Sequence, residues 1–538
     1  MLTRIHRGPQ HRVALIVAVT LLTGTSVFAS ACDSTPSRNH TDGAKNTDGA
    51  KKVTDGKTPT TDVLLFDERG VPIPEKCAPD CQGKPCDADD GCGDQCRDFC
   101  ATSVAASWSK RLGGTEDDFI WGVSPDSKGN VTLVGSFAKK VDFGGGTLSA
   151  AGWHDGFIAS YDKNGKHRWS KRFGASGGET EVRNVTTDAQ DHLFVTGTFA
   201  GTVDFGGGGL KSAGKDDIFV ASYDENGKHL WSKRFGGAQR DSGVGIAVDP
   251  QGHVVFTGSF LGSVNLGKGS LAAIGPSANI VIASFDTSGA IRWSKAFGGT
   301  NKAFAPAIAV DPSGNVALTG GFVGSVDLGG GPLKGANIPP GDTTDIFVAS
   351  FTPDGAHRWS ERFGDWDDDI GYGVTADGKG NVTITGYFQR SIDFGGGSLS
   401  SAGKADIFVA SFGPKGSHRW SKGWGSKGWD YAFGLATDRD GNVFLTGGFH
   451  ETIDWGGGPR TSLGNEDIFI ASYGPAGSPR WSRSFGGISE DNGIRLAVDS
   501  HGVVTLIGRF RETADLGGTT LLSAGSIDAF ALQLSPKP

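Results

Sequence analysis

A unit of about 62 residues recurs seven times from residue 108 to the C-terminus, and this repetition constrains the fold more than any other feature. Each copy opens with a tryptophan followed by serine. These residues are Trp108, Trp169, Trp231, Trp293, Trp359, Trp420 and Trp481. Residues that recur in every copy serve an architecture more often than a catalytic centre, because catalysis needs particular groups at one place.

Each copy contains four short runs of β-branched and aromatic residues bounded by Gly and Asp clusters, which predicts four strands. The last run before the next tryptophan is almost continuously apolar, as in IFVAS at residues 346–350, which is typical of a strand covered on both faces. Radially stacked sheets meet that requirement, so four strands times seven copies predicts an all-β, seven-bladed β-propeller. No tryptophan strand follows the last copy, so its blade is one strand short. We expect residues 108–111 to supply it, closing the ring by pairing the N- and C-terminal strands.

The repeated pattern, with IFVASYDENGKH, GIAVDPQGH and VVFTGSF in its third copy, resembles the SBBP (seven-bladed β-propeller) repeat of bacterial exported proteins. The resemblance covers about 430 residues. It implies the propeller fold and an extracytoplasmic setting, and no chemistry. Residues 221–236 also resemble the tryptophan-docking motif of quinoprotein dehydrogenases. Those enzymes have eight blades and an adjacent cysteine pair, and the repeats contain no cysteine.

Residues 1–31 have the pattern of an export signal, with three arginines ahead of an apolar run at 13–22 that is too short to span a bilayer. Small residues directly precede Cys32, which resembles a bacterial lipobox and predicts lipidation of Cys32. The alternative is ordinary cleavage after Ala31, which leaves Cys32 free. Lipidation would place the protein in the cell envelope, at the outer membrane or cell surface rather than the inner membrane, with the lipid as its one membrane contact.

Residues 32–76 are polar and include near-repeats of TDGAK, so they cannot bury a core and are predicted to form a disordered tether. A module with six cysteines follows at residues 77–100, and an even set in an exported chain predicts three disulfides of unknown connectivity. The cysteines are Cys77, Cys81, Cys86, Cys92, Cys96 and Cys100. A metal site is the rival interpretation, but Cys-x2-Cys spacing and a nearby histidine are missing. The module resembles cysteine-rich segments of exported proteins from deltaproteobacteria such as myxobacteria. The propeller is then expected over residues 105–538.

Strand parity places the long connections at one end of the propeller, together with two sets of acids that recur in each copy. The first set is Asp142, Asp204, Asn265, Asp327, Asp393, Asp454 and Asp515, and the second is Asp155, Asp217, Asn279, Asp345, Asp406, Asp467 and Asp528. We expect these side chains to accept backbone N–H groups and order the glycine-rich loops. Calcium bound in each loop is the alternative. Both positions change to Asn in the same copy, which suggests that they are coupled.

One loop departs from the repeat and carries three alternating acids, Asp365, Asp367 and Asp369, which are candidate calcium ligands. Ile370 stands where a calcium loop needs glycine, which weakens the prediction. Trp366, Trp429 and Asp430 lie on equivalent loops of neighbouring copies and are candidates for contact with a glycan or protein partner.

Known catalytic motifs are missing from the sequence, so we predict no catalytic residues and no cofactor other than calcium. The net charge of -8 does not suggest nucleic-acid binding. The sequence favours a monomeric, envelope-anchored lipoprotein whose propeller binds or scaffolds an extracytoplasmic partner. The alternatives are an enzyme acting on glycans or peptides in the propeller's funnel and a purely structural envelope protein.

Overall fold

A computed structural model describes residues 104–267, 269–336 and 343–536. Cys32, the tether at 32–76 and the six cysteines of residues 77–100 lie outside these residues, so their predicted lipidation, disorder and disulfides stay predictions. Within the described residues the regular structure is entirely β.

The strands form seven four-stranded blades, and each blade also carries a two-stranded side ribbon. The ribbon of blade 4 pairs with the outer strand of blade 3, so blade 3 and this ribbon form one six-stranded sheet. The first strand, β1 (Val104–Leu112), precedes blade 1. Blade 1 contains β2 (Phe119–Pro125), β3 (Val131–Phe137), β4 (Lys140–Asp142), β5 (Thr147–Ser149), β6 (Asp155–Tyr161) and β7 (His167–Phe173). Blade 2 contains β8 (Thr180–Thr187), β9 (Leu193–Phe199), β10 (Thr202–Asp204), β11 (Gly209–Lys211), β12 (Asp217–Tyr223) and β13 (His229–Phe235). Blade 3 contains β14 (Ser242–Val248), β15 (Val254–Phe260), β16 (Ser263–Asn265), β17 (Ser270–Ala272), β18 (Asn279–Phe285) and β19 (Ile291–Gly299).

The remaining blades repeat this order. Blade 4 contains β20 (Ala303–Val310), β21 (Val316–Phe322), β22 (Ser325–Asp327), β23 (Pro332–Lys334), β24 (Asp345–Phe351) and β25 (His357–Phe363). Blade 5 contains β26 (Ile370–Ala376), β27 (Val382–Phe388), β28 (Ser391–Asp393), β29 (Ser398–Ser400), β30 (Asp406–Phe412) and β31 (His418–Trp424). Blade 6 contains β32 (Tyr431–Thr437), β33 (Val443–Phe449), β34 (Thr452–Asp454), β35 (Pro459–Thr461), β36 (Asp467–Tyr473) and β37 (Pro479–Phe485). Blade 7 contains β38 (Asn492–Val498), β39 (Val504–Phe510), β40 (Thr513–Asp515), β41 (Thr520–Leu522) and β42 (Asp528–Pro536).

The ring is closed by the first strand. β1 pairs antiparallel with β42, from Val104 opposite Pro536 to Leu112 opposite Ala529, and so becomes the outer strand of blade 7. The predicted closure through residues 108–111 is therefore confirmed, with a longer strand than the repeat pattern indicated. The seven-bladed, all-β architecture is likewise confirmed, whereas the side ribbons between the second and third strands were not foreseen.

In blades 1 to 6 the first strand in chain order lies innermost, as β38 does in blade 7, and the tryptophan strand lies at the outer edge. Inner strands of neighbouring blades contact one another around the ring, including β38 with β2. Third strands such as β12, with the sequence DIFVASY, are buried over their whole length. Seven apolar clusters fill the spaces between neighbouring blades. In one of them Ile407 of blade 5 packs with Phe469 of blade 6.

The same backbone hydrogen bond joins every pair of neighbouring blades. The amide at the start of an inner strand donates to the carbonyl at the start of the preceding blade's third strand. For example, the Thr180 amide lies 3.0 Å from the His154 oxygen, and the Asp118 amide lies 3.2 Å from the Ile527 oxygen across the closure. The start of every inner strand is thereby fixed, and these starts surround the mouth of the central channel.

Candidate binding face

The two ends of the propeller differ in their loops. One end, the short-turn face, consists of hairpins in which an Asp at the turn accepts nearby backbone amides, as Asp126 does from Lys128 and Asn130. The other end, the long-loop face, carries the side-ribbon loops and the connections from each outer strand to the next inner strand. Loops on rigid scaffolds are the usual site of binding, so the long-loop face is the candidate surface.

The first set of repeated acids orders the side-ribbon loops. The Asp142 carboxylate accepts the amides of Gly144 at 2.7 Å and Gly146 at 3.1 Å, and the other copies repeat the arrangement. These glycines have positive φ, which only glycine adopts without strain. The expectation that the loop acids accept backbone N–H groups is confirmed.

The second set of acids is buried and ties the third strand to the loop before it. The Asp155 carboxylate accepts the Ala151 amide at 2.8 Å and pairs with Arg172 on the outer strand. Matching ion pairs join Arg234 to Asp217 and Arg111 to Asp528. In blade 6 Ser484 replaces the arginine, and burial raises the pKa of Asp467 to about 6.

A third set of acids was not recognised as a set in the sequence, where two copies lack it and two of its members, Asp369 and Asp430, were assigned to other sites. Its members stand just before the inner strands, where blade 2 has Thr180 and blade 4 has Ala303. They are Asp118, Asp241, Asp369, Asp430 and Asp491. Each accepts one amide from four residues earlier and one from the residue that follows the second strand, as Asp491 does from Gly487 at 2.7 Å and Arg511 at 3.1 Å.

Burial dominates the electrostatics of this third set. Loss of hydration raises the pKa of Asp118, Asp369 and Asp491 to about 7 each, and that of Asp241 to about 6. The pKa of Asp430 is raised for the same reason. In five blades these carboxyls hold the loop that leads into the inner strand.

The three candidate calcium ligands are not gathered into a site. The Asp369 carboxyl is buried and accepts the amides of Asp365 and Gln389, each at 2.9 Å. The Asp367 carboxylate pairs with Arg390, while the Asp365 carboxylate accepts the Ser391 hydroxyl at 3.1 Å. Across residues 104–267, 269–336 and 343–536, no three His, Cys, Asp or Glu side chains are placed to hold a metal ion.

The candidate partner-binding residues differ in exposure. Trp366 is 57% exposed, as a contact residue should be. Asp430 is fully buried and accepts the amides of Ser426 and His450 at 2.6 and 2.7 Å, so its carboxyl does not reach the surface in this structure. Trp429 is half-buried, with its ring stacked on Tyr431 at 6.0 Å between centroids and Lys404 above it.

Trp429 belongs to an aromatic cluster at the channel mouth that the sequence did not reveal. Tyr431 stacks in turn on Phe433, and Phe433 packs against Tyr372 of blade 5 with 5.2 Å between ring centroids. Tyr387 closes the cluster against Tyr431, also at 5.2 Å. Alternate residues of one strand share a face, which explains the stack, and bulges in β26 and β32 occur at Tyr372 and Phe433.

A buried carboxyl lies beside this cluster. Glu466 is 6% exposed, and burial raises its pKa to about 8. The side-chain amide of Asn492 donates from Nδ2 to Glu466 Oε2 at 3.3 Å. The other carboxyl oxygen, Oε1, has no hydrogen-bond partner among the described residues. Burial therefore favours the neutral, protonated form of this group. The sequence could have pointed to this residue, because Glu466 stands at a repeat position where other copies have His154, Thr344 or Ala405.

Large apolar residues are exposed on the same face. Trp153 is 78% exposed, Leu463 is 72% exposed and Ile488 is 70% exposed, and Ile274 and Trp366 join them. These residues could also have been found in the sequence as departures from the repeat. Trp153, for example, stands where other copies have Lys215 and Lys404. Trp153 borders an open groove of about 850 Å³ at the junction of blades 7 and 1, lined also by Asp117, Lys139 and Ser526.

The described part of the chain contains no helix that is long and apolar enough to cross a membrane.

No family model matches the sequence. The chain is similar to an uncharacterised WD repeat-containing protein of Acanthamoeba polyphaga mimivirus, at 21% identity over 427 residues. The match covers 64% of this chain and 30% of the viral protein, so the chain spans less than a third of that relative's length.

Three solved structures share low overall similarity with the chain. The WD40 β-propeller domain of Doa1 gives a TM-score of 0.40 at 10% identity, covering 80% of this chain and 97% of that one. Sqt1 from Chaetomium thermophilum gives 0.36 at 11% identity, covering 81% and 100%. A gluconolactonase from Xanthomonas campestris gives 0.30 at 12% identity, covering 64% and 94%. The seven-bladed architecture of this chain rests on its own strand pairing.

Proposed function

We propose that the propeller is a binding scaffold that presents its long-loop face to an extracytoplasmic partner. The observation that carries the proposal is the placement of large exposed apolar side chains. Five of them, Trp153, Ile274, Trp366, Leu463 and Ile488, lie on loops of the long-loop face. Tryptophan is enriched among the residues that carry the energy of protein–protein binding, which supports this face as an interaction surface.

The surroundings of these residues support the proposal. Their loops are held by buried carboxyls and by the backbone bonds between blades, so the side chains are presented on an ordered frame. A preformed surface loses little conformational entropy on binding, which favours affinity. The departures from the repeat also break the sevenfold symmetry, as recognition of one partner in one orientation requires.

The setting belongs to the same proposal. The resemblance of the repeats to SBBP proteins and the lipobox at Cys32 support a lipoprotein anchored in the cell envelope, with the outer membrane or cell surface favoured over the inner membrane. The myxobacterial character of the cysteine module supports an origin in that group.

The repeats supply substitutions that test the binding face without disturbing the fold. The double variant combines Trp153→Lys and Ile488→Lys. Lysine is the natural residue at these two repeat positions in other copies, as Lys215 and Lys427. Leu230→Arg is the matched control, because Leu230 is exposed on an outer strand where Arg168 and Arg292 occupy other copies.

The wild-type full chain, the double variant and the Leu230→Arg variant are each tested for binding to proteins of an envelope extract and to a glycan array. We expect the wild type and the Leu230 variant to retain the same partner and the double variant to lose at least about tenfold in affinity. Equal retention by all three proteins would show that the long-loop face is not the binding surface.

A second candidate is an enzyme acting on glycans or peptides at the funnel mouth. The observation that favours it is Glu466, a carboxyl with raised pKa beside the aromatic cluster, since such groups serve as general acids. Turnover of a glycan or peptide by the wild type, lost in Glu466→Gln with binding retained, would support this function over a scaffold. A purely structural role would show neither binding nor turnover.

A further inference from the structure

The outer strands carry a belt of positive charge around the propeller. The residue two positions after the repeat tryptophan is basic in six blades, as Lys110, Lys171, Lys233, Lys295, Lys422 and Arg483. In blade 4 this position is Glu361, which is the one acidic residue on the seven outer strands. The whole chain has a net charge of -8, so the outer strands are basic in an acidic protein.

The belt differs from the neighbouring arginines, which have a structural role. Arg172 and Arg234 pair with the buried carboxylates of Asp155 and Asp217 and are neutralised there. By contrast, Lys171, Lys233 and Lys295 form no ion pair within the part of the chain that the structure describes. Their charge is therefore available to a ligand.

The belt residues are held in a regular way. The stem of Lys171 lies against Gly227 in the outer turn of the next blade, and Lys233 lies against Gly289 in the same manner. A lysine whose stem packs on the protein keeps its ammonium group in water. The charges also reach the next blade, because Lys171 adds to the effect of burial in lowering the pKa of His229. The stems of Lys171 and Lys233 are thus held in the same way in successive blades.

A simpler explanation of the basic residues on the outer strands is protection of the sheet edges. Each outer strand is an exposed edge, and charged residues, lysine above all, prevent edges from pairing with other chains. Protection needs charge but not one sign, and Glu361 occupies the same position within an intact blade. A belt that is basic in six blades of an acidic protein exceeds this requirement.

The shape of the belt selects the kind of partner. The outer strands face outward in different directions around a closed ring, so a flat anionic membrane could touch only one or two of them. A flexible linear chain can follow the perimeter and meet successive cations, and each contact adds to its affinity.

We propose that the perimeter of the propeller binds a linear anionic polysaccharide, with carboxylate, sulfate or phosphate groups paired to the lysine belt. The belt is separate from the long-loop face, so the protein can hold such a chain and its partner at the same time. This inference does not depend on the function proposed for that face.

The test measures binding of the full chain to polygalacturonate and dextran sulfate, with neutral dextran as the reference ligand. The belt variant combines Lys171→Glu, Lys233→Glu and Lys295→Glu, which follow the natural Glu361. The control variant combines Lys163→Glu, Lys379→Glu and Lys415→Glu, three exposed lysines on the short-turn face, so both variants have the same net charge.

We expect wild type and control to bind both polyanions, the belt variant to bind about tenfold more weakly, and added salt to weaken all binding. Unchanged melting temperatures would show that the variants fold. Equal binding by the two variants, no binding of either polyanion at low salt, or tighter binding to DNA or to phosphatidylglycerol vesicles would each overturn the proposal.

Discussion

The indole nitrogen of Trp169 donates to the backbone carbonyl of Glu225 at 3.1 Å, and this bond joins the outer strand of blade 1 to the outer turn of blade 2. The ring also lies over Gly227, whose φ is +78° and whose missing side chain leaves room for it. The same bond recurs from Trp231, Trp293, Trp359 and Trp420. The repeat tryptophans are thus packing residues that bind each blade to the next.

Trp108 provides a natural comparison, because its indole nitrogen is buried without a hydrogen-bond partner among the described residues. Trp169→Phe and Trp108→Phe remove the same atoms, but only the first removes a hydrogen bond. We expect Trp169→Phe to lower the free energy of unfolding by about 1 kcal/mol more than Trp108→Phe. Denaturant unfolding measures the difference, and equal costs would show that the bond does not contribute.

Deletion of residues 104–112 should destabilise the whole ring. It removes β1, exposes the edge of β42 and breaks the strand pairing that joins the two ends of the ring. We expect a lower melting temperature and aggregation, whereas deletion of residues 33–70 in the predicted tether should leave the propeller's melting temperature unchanged. Thermal unfolding of both proteins decides the matter, and identical melting temperatures would contradict a stabilising closure.

Stability should fall as pH rises from about 4 to 7. The pKa of Asp118, Asp369 and Asp491 is about 7 in the folded protein and near 3.8 when unfolded. The folded state therefore holds more protons in this range, and the stabilisation present below pH 4 is lost as pH passes through 7. The propeller should melt at a lower temperature at pH 8 than at pH 5.5.

Asp491→Thr, which copies Thr180 of blade 2, isolates one such group. The dependence of unfolding free energy on pH should flatten by up to about 1.4 kcal/mol per pH unit. Asp393→Asn, which follows Asn265 and alters an exposed carboxylate, is the control. A slope unchanged in the Asp491 variant would mean that this carboxyl is ionised throughout.

Cys32→Ala should release the protein from membranes into the soluble fraction, because a lipid attached to this cysteine is the predicted anchor. Fractionation of cells followed by immunoblotting measures the distribution. A variant that stays with the membranes after a high-salt wash would exclude lipidation at Cys32 as the anchor.

The sequence by itself determined the number of blades, the order of the four main strands within each blade, and the closure through residues 108–111. These features depend on local patterns, since the alternation that makes a strand is contained within seven or so residues and the repeat multiplies it. The role of the recurring loop acids followed for the same reason, because Asp142 and Gly144 are close in the chain.

Only the tertiary structure decided which side chains of different blades meet. Asp430 follows an exposed-looking loop in the sequence, yet its carboxyl is buried because amides from two loops converge on it. The contact of Tyr372 with Phe433 and the bond from Trp169 to Glu225 join residues about 60 positions apart. Such contacts depend on how one sheet stacks on the next, and burial between sheets, rather than residue type, sets the pKa of the groups that lie there.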